Sequence, residues 1–205
     1  MLLELFPGGA NQFLSSHQAR ALIATIRPRD IVGKTRRRLA VELVGELEGI
    51  DKKIKTAEKD LKALVTARSS ILMDLHGIGP SGAARLLADV GDIRRFADRD
   101  RFASWNGTAP LDASSGDEKR HRLSGAGNRR INRTLHIMAV VQLRNATEGR
   151  AYFDAKKGAG KTSMESMRAL KRRLSNIVYA QMVADKKRRE AAGPGGHSGR
   201  LCYPA

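Results

Sequence analysis

The sequence predicts an all-α protein: a long coiled-coil-like helical arm plus a compact helical domain that bears a helix-hairpin-helix element. Three observations carry that expectation. Aromatic residues are only 4% of the 205-residue chain while hydrophobic residues are 41%. A core made of Leu, Ile, Val, Ala and Met suits helices better than sheets. Ala40, Leu43, Leu47, Ile50, Ile54, Ala57, Leu61 and Leu64 follow alternating steps of three and four, the a/d spacing of a heptad seam. Finally, Gly77-Ile78-Gly79-Pro80 interrupts two apolar stretches, as a tight corner between helices does.

Residues 1–33 carry Pro7, Gly8, Gly9 and Pro28 with weak periodicity, and are expected to form short helices, a linker or the remnant of a larger element. The first residues lack a basic stretch followed by a long apolar one, so no signal peptide is expected. No apolar run approaches 18 residues, so no membrane span is expected either. Residues 34–70 form the arm. The seam is narrow and its other positions are Lys, Glu and Asp. Two readings fit: an amphipathic helix packed on its own domain, or a coiled-coil or helical-hairpin arm that pairs with a second copy through residues 40–64.

Residues 71–185 make the helical domain. In the corner at 77–80, Gly77 and Gly79 permit a tight turn, and the following helix start points free N–H groups at a phosphate. The alternative is an ordinary corner with a glycine cap. Residues 93–110 hold Ile93, Phe96, Phe102 and Trp105 and read as core-filling helices and a turn, with Trp105 a packing anchor. From Asn128, a capping residue, a helix is expected with Ile131, Leu135 and Met138 inward. Arg129, Arg130 and Arg133 fall on its other side, where cations oppose the helix dipole unless an anion sits there. A last helical segment, 150–189, buries Leu170, Leu174, Ile177, Val178 and Met182 and shows Arg168, Lys171, Arg172 and Arg173 on its basic face. Residues 186–205 read as a basic, Gly-rich disordered tail.

The formal net charge is +17, which opposes compaction unless a polyanion neutralises it. Nucleic acid is the first candidate partner. A membrane surface is a weak one, because no amphipathic stretch presents large apolar anchors. The single cysteine, Cys202, provides neither a disulfide framework nor metal spacing, consistent with a reducing, cytoplasmic and nucleoid-associated setting.

One stretch combines a nucleophile with a dense positive field. Ser114-Ser115-Gly116 precedes residues 117–133, where six Lys/Arg, including Arg120 and Arg122, stand against two acids. A serine hydroxyl needs a base, a metal or strong electrostatic activation to attack. Arg120, Arg122, Arg129, Arg130 and Arg133 could stabilise a pentacoordinate phosphate. Gly158-Ala159-Gly160-Lys161-Thr162 is not a P-loop, because the motif needs glycine where Ala155 stands and a strand before it. Lys161 is instead a candidate phosphate contact, with Lys171 and Arg172. No spacing of Asp and Glu predicts a two-metal site, so no metal is expected to be bound by this chain.

Taken in order, Gly77-Ile78-Gly79-Pro80, Phe102-Ala103-Ser104-Trp105-Asn106-Gly107-Thr108-Ala109-Pro110, Ser114-Ser115-Gly116 and Leu123-Ser124-Gly125-Ala126-Gly127-Asn128-Arg129-Arg130 resemble a known family. It is the DEDD-type transposases of the one-hundred-and-ten family of insertion sequences, related to Piv-type DNA invertases. Residues from Gly160-Lys161-Thr162 through Leu170-Lys171-Arg172-Arg173-Leu174 extend the match, which spans roughly 40–185. The resemblance implies an RNA-guided recombinase that uses a structured (bridge) RNA to pair donor and target DNA. It also implies a serine nucleophile, here Ser115 with Ser114 as fallback, that forms a transient phosphoserine link, and a coiled-coil arm for subunit pairing. The family's RuvC-like domain, with four acidic ligands for Mg²⁺, has no counterpart here. The chain is therefore expected to be a partial transposase that is inactive alone. Asn132 stands where many members carry Arg. The rival expectation is a non-catalytic, dimeric nucleic-acid-binding module or transposition inhibitor.

Overall fold

The computed structural model describes residues 14–112, 121–123 and 127–192. It is helical apart from one short ladder, and divides into two compact units, residues 1–60 and 61–205.

In the first unit, Ser15 opens helix α1 (Ser16–Thr25) with a capping box: Gln18 N donates to Ser15 Oγ at 3.2 Å, and Ser15 N donates to Gln18 Oε1 at 3.0 Å. These bonds satisfy amides that a helix start leaves open. Helix α2 (Ile31–Ala67) begins after Asp30, whose carboxylate accepts from Gly33 N at 2.7 Å. That bond holds the Asp30 carboxyl below the usual carboxylate range. α1 buries Ala19 and Ile23 against Ala40 and Val44. Ser16 bonds Asp51 at 2.7 Å, and Arg20 grips both oxygens of Glu48 at 2.6 and 2.7 Å, so α1 runs antiparallel to α2. The stretch expected to form short helices, a linker or a remnant thus supplies a helix that covers one face of the arm. Its contacts fall on Val44, Glu48 and Asp51, beside the heptad seam, and on Ala40, the first position of the seam. Leu43, Leu47, Ile50 and Ile54 stay about half exposed.

In the second unit a 3₁₀ turn (Leu72–Asp74) leads into helix α3 (Pro80–Val90), so the segment before the glycine corner is a single tight turn. A second 3₁₀ turn (Ile93–Arg95) precedes helix α4 (Arg99–Trp105). Strands β1 (Pro110–Asp112) and β2 (His121–Leu123) pair antiparallel, with Pro110 opposite Leu123. Helices α5 (Arg129–Arg144), α6 (Glu148–Gly158) and α7 (Ser163–Ala191) complete the unit.

α7 is the spine: it packs against α4, α5 and α6. Its Leu170, Leu174, Val178 and Met182 join Leu86, Phe102, Ile131, Leu135 and Met138 in the core. Ile177, expected inward, is 36% exposed, because the stripe advances in steps of four and position 177 falls beside it. The single segment expected over 150–189 is two helices. Gly160 turns the chain between them with φ +85°, and Thr162 caps α7. α7 also continues to Ala191, past the boundary at 186 where a disordered tail was expected. Lys186 pairs with Asp92 and Glu190 there, at 3.7 and 3.6 Å.

One buried carboxylate fastens the start of this unit. Asp185 is 1% exposed and accepts from Ser70 Oγ, Gln181 Nε2 and Arg188 Nη2, each at 2.7 Å, and from Ile71 N at 3.3 Å. A charge so enclosed persists because its lone pairs are filled.

Candidate nucleic-acid interface

Two glycine-bearing segments meet after α4. Gly107 has φ +71°, a conformation that glycine adopts without steric cost. Gly127 lies against it: a Cβ there would meet Gly107 N at 2.4 Å and Gly107 Cα at 2.5 Å. Only hydrogen fits. The adjacent Asn128 N donates to Trp105 O at 2.7 Å, and the Asn128 side chain caps α5 through Arg130 N and Ile131 N. Two motifs twenty residues apart in sequence are thereby locked into one corner.

A buried polar network fixes that corner. Asn106 is fully buried. Its Oδ1 accepts from Thr108 N at 3.1 Å and Thr108 Oγ1 at 2.7 Å, and its Nδ2 donates to Ser175 Oγ at 2.8 Å. Asn132 on α5 donates to the carbonyls of Asn106 and Gly107 at 2.9 and 3.1 Å. Lys171 on α7 donates to Asn132 Oδ1 at 2.5 Å. Lys171 is 8% exposed, and burial pushes its ammonium below the ordinary lysine value, with the charge of Arg168 adding to the effect.

The corner forms one wall of a cleft of about 450 Å³, whose other walls are α6 and α7. Lys161, Arg168, Lys171, Arg172 and Arg173 line it, against one acid among the described residues, Glu165. Glu165 is tied back to Thr162, accepting from its Oγ1 at 2.7 Å and its N at 2.9 Å. These bonds hold the Glu165 carboxyl below its usual range. Arg172 is held by Asp100 and by Asn176 Oδ1 at 2.6 Å. Arg173 lies 4.9 Å from the Tyr152 ring centroid and 3.8 Å from Glu148. The field inside is positive, and Lys171, Arg172 and Arg173 are braced in it.

Of the residues singled out in the sequence, Lys161, Lys171 and Arg172 come together here. Lys171 stands in the wall, holding Asn132. Arg129, Arg130 and Arg133 are exposed on the first turns of α5 and make no ion pair with a described residue. They are outside the cleft lining. Gly77 and Gly79 lie elsewhere. Gly77 has φ +95°, and a Cβ there would come within 2.8 Å of Met138 O, so this glycine lets the corner pack on α5. Gly79 caps α3 without a side-chain bond and faces open space. Ser114, Ser115 and Arg120 lie outside the described residues, as does the side chain of Arg122, whose backbone is in β2. Ser114 and Ser115 belong to the connection between β1 and β2, and β1 starts at Pro110 in the cleft wall.

The sequence reading missed Asn106, Thr108, Asn132 and Ser175 as a unit, and missed Tyr152. The available signal for Asn132 was an amide directly after the buried Ile131 in an otherwise basic first turn. The partners of a buried amide are set by contacts distant in sequence.

Among the described residues no group of three or more His, Cys, Asp or Glu converges as metal ligands, and no helix is long and apolar enough to cross a membrane.

Residues 69–154 match the sequence model of the transposase IS116/IS110/IS902 family. The chain is 30% identical over 158 residues to the uncharacterized 43.6 kDa protein of insertion element IS110 from Streptomyces coelicolor, covering 75% of this chain and 38% of that protein. It is 31% identical over 157 residues to the uncharacterized 42 kDa protein of insertion element IS900 from Mycobacterium paratuberculosis, with 70% and 38% covered. To the 44.8 kDa protein of insertion element IS116 from Streptomyces clavuligerus it is 27% identical over 153 residues, with 73% and 38% covered. The chain thus spans about 38% of the length of each of these relatives. Residues 69–154 are thus similar to a transposase domain of the IS116/IS110/IS902 family, and the two motifs that form the glycine-locked corner lie within that stretch.

Proposed function

We propose that this chain acts in DNA transposition as the DNA-binding part of a transposase, with Ser115 as its nucleophile and Ser114 as the alternate. The observation that carries this reading is the basic cleft braced by Asn106, Asn132 and Lys171, because its wall begins the ladder whose connection holds both serines. In this reading the Ser115 Oγ–H loses its proton as Oγ attacks phosphorus. An Oγ–P bond forms, one P–O bond to deoxyribose breaks, and the departing sugar oxygen takes up a proton. The link is a phosphodiester between enzyme and DNA, so a later hydroxyl can reverse it without added energy. Arginines near the loop offset the charge that develops on the phosphate.

The family resemblance implies Mg²⁺ held by a RuvC-like domain. The described residues do not converge as ligands for it, so no step here is routed through a metal. Arg129, Arg130 and Arg133 on α5 and the open start of α3 at Gly79 supply sequence-independent phosphate contacts, the latter as a helix-hairpin-helix element. A structured guide RNA would use the same phosphate chemistry. The half-exposed Leu43, Leu47, Ile50 and Ile54 favour pairing of two copies through the arm as a coiled coil.

The test is adduct trapping. The chain is incubated with labelled insertion-sequence ends, Mg²⁺ and a full-length family transposase. A covalent protein–DNA species on this chain that disappears in Ser115→Ala supports the reading. Binding without any adduct leaves a non-catalytic module and removes the nucleophile assignment.

A further inference from the structure

The geometry points to the cleft as a pocket for one unstacked nucleotide of a bound DNA or RNA strand, its base against Tyr152 and Pro110 and its phosphate on Lys161 and Arg173. This inference rests on the nucleic-acid-binding reading above and goes beyond contact with a duplex backbone. A phosphate on a duplex surface needs only cations on an exposed face, which Arg129, Arg130 and Arg133 already provide. The cleft is built differently. It encloses about 450 Å³, and Ala109, Pro110, Ala169 and the Tyr152 ring give it apolar surface. A bare phosphate has no use for such walls, whereas a base displaced from its stack needs them.

The cations stand where the sugar–phosphate would lie. Lys161 follows the turn between α6 and α7, and the Arg173 guanidinium lies over the Tyr152 ring, from which an incoming base would displace it toward the phosphate. Lys156, on the turn of α6 after Tyr152, places its ammonium 5.3 Å from the same ring centroid. An aromatic ring flanked by cations offers both a stacking surface and charge for a single-stranded nucleotide. Rigidity supports the same inference. The Gly107–Pro110 wall is held through Thr108, Asn106 and Asn132 to both α5 and α7, so the pocket is formed before any ligand arrives and little ordering is needed on binding.

The experiment compares two duplexes of equal length, one fully paired and one with a single unpaired 2-aminopurine at its centre, made once in DNA and once in RNA. The unpaired nucleotide should tighten binding about fivefold or more, the low end of what one stacked base contributes, and its fluorescence should fall on binding. Comparison of the two sets identifies the strand type the pocket prefers. Ala169→Trp, which fills the cleft, and Tyr152→Ala should each abolish the preference for the unpaired nucleotide, with thermal melting as the check on folding. A photoreactive base at the unpaired position should crosslink to the α6 peptide containing Tyr152, a readout that needs no variant. Equal affinity for both duplexes, or a crosslink that maps away from the cleft, overturns the pocket and leaves backbone binding intact. Failure to bind either duplex overturns both.

Discussion

Helices α2 and α7 look alike in sequence and end in opposite circumstances. Both are long, charged and marked by an apolar stripe. In α2, residues 49–60 are exposed on every side, and Ile50 and Ile54 are 50% and 52% exposed. In α7, Leu170, Leu174 and Val178 are at most 1% exposed, and even Ser166, Lys171, Ser175 and Asp185 are buried. An apolar stripe therefore says that a helix has something to bury, not that its own chain will bury it. The width of the buried face makes the difference. α7 hides polar residues on both flanks of its stripe because three other helices surround it, whereas α2 keeps Lys, Asp and Glu immediately beside its seam.

The largest effect that can break this comparison lies in α7. Asp185→Ala leaves Ser70, Gln181 and Arg188 without their acceptor and should cost about 3 kcal/mol in denaturant unfolding. A loss near zero would mean that α7 is no better anchored than the arm. Next, Asn106→Ala removes the centre of the corner network and should cost about 2 kcal/mol, together with weaker nucleic-acid binding at the cleft. Unchanged binding would separate the network from the interface.

A pH measurement sharpens the same point at Lys171. Its folded-state value lies below the ordinary 10.5 because of burial. Between those two values the unfolded chain binds more protons, so this group makes stability rise with pH across that window. Lys171→Met should flatten that rise in urea titrations over the alkaline range. An identical slope in wild type and variant would remove the buried-charge account.

The smallest effect belongs to the arm. Ile50→Ala combined with Ile54→Ala should change unfolding of residues 61–192 by less than about 0.5 kcal/mol, as exposed substitutions do. It should nevertheless shift sedimentation toward smaller species if the seam pairs two copies. A domain destabilised by this double change would place the seam in a core after all.

Much of the helical layout was legible. Ile131, Leu135 and Met138 are buried as their spacing indicated, and Asn128 caps its helix. The all-helical expectation holds, with β1 and β2 as a local addition that weak, short strands could not announce. The break at Gly160 had a local signal, Gly158 and Gly160 followed by the capping Thr162, which reading 150–189 as one segment passed over. Site residues were less legible than the fold. Lys161, Lys171 and Arg172 were identified by charge, but charge cannot say that Lys171 turns inward to an amide while Arg173 turns to a ring. Tyr152 gave no signal, since the adjacent Tyr152-Phe153 pair in a short polar helix shows no helical periodicity.

Composition, periodicity and motif order by themselves determined an all-helical, strongly basic protein with a heptad arm and a glycine corner. These follow from local rules: what a backbone position permits and which face repeats. Only the tertiary structure decided that α1 covers one side of the arm and Ala40 but leaves Leu43, Leu47, Ile50 and Ile54 open, and that Gly107 and Gly127 touch. It alone decided that Asn106, Asn132, Ser175 and Lys171 share one buried network behind a basic cleft. Those contacts join residues far apart in sequence, and their free energy exists only once the chain has already closed around them.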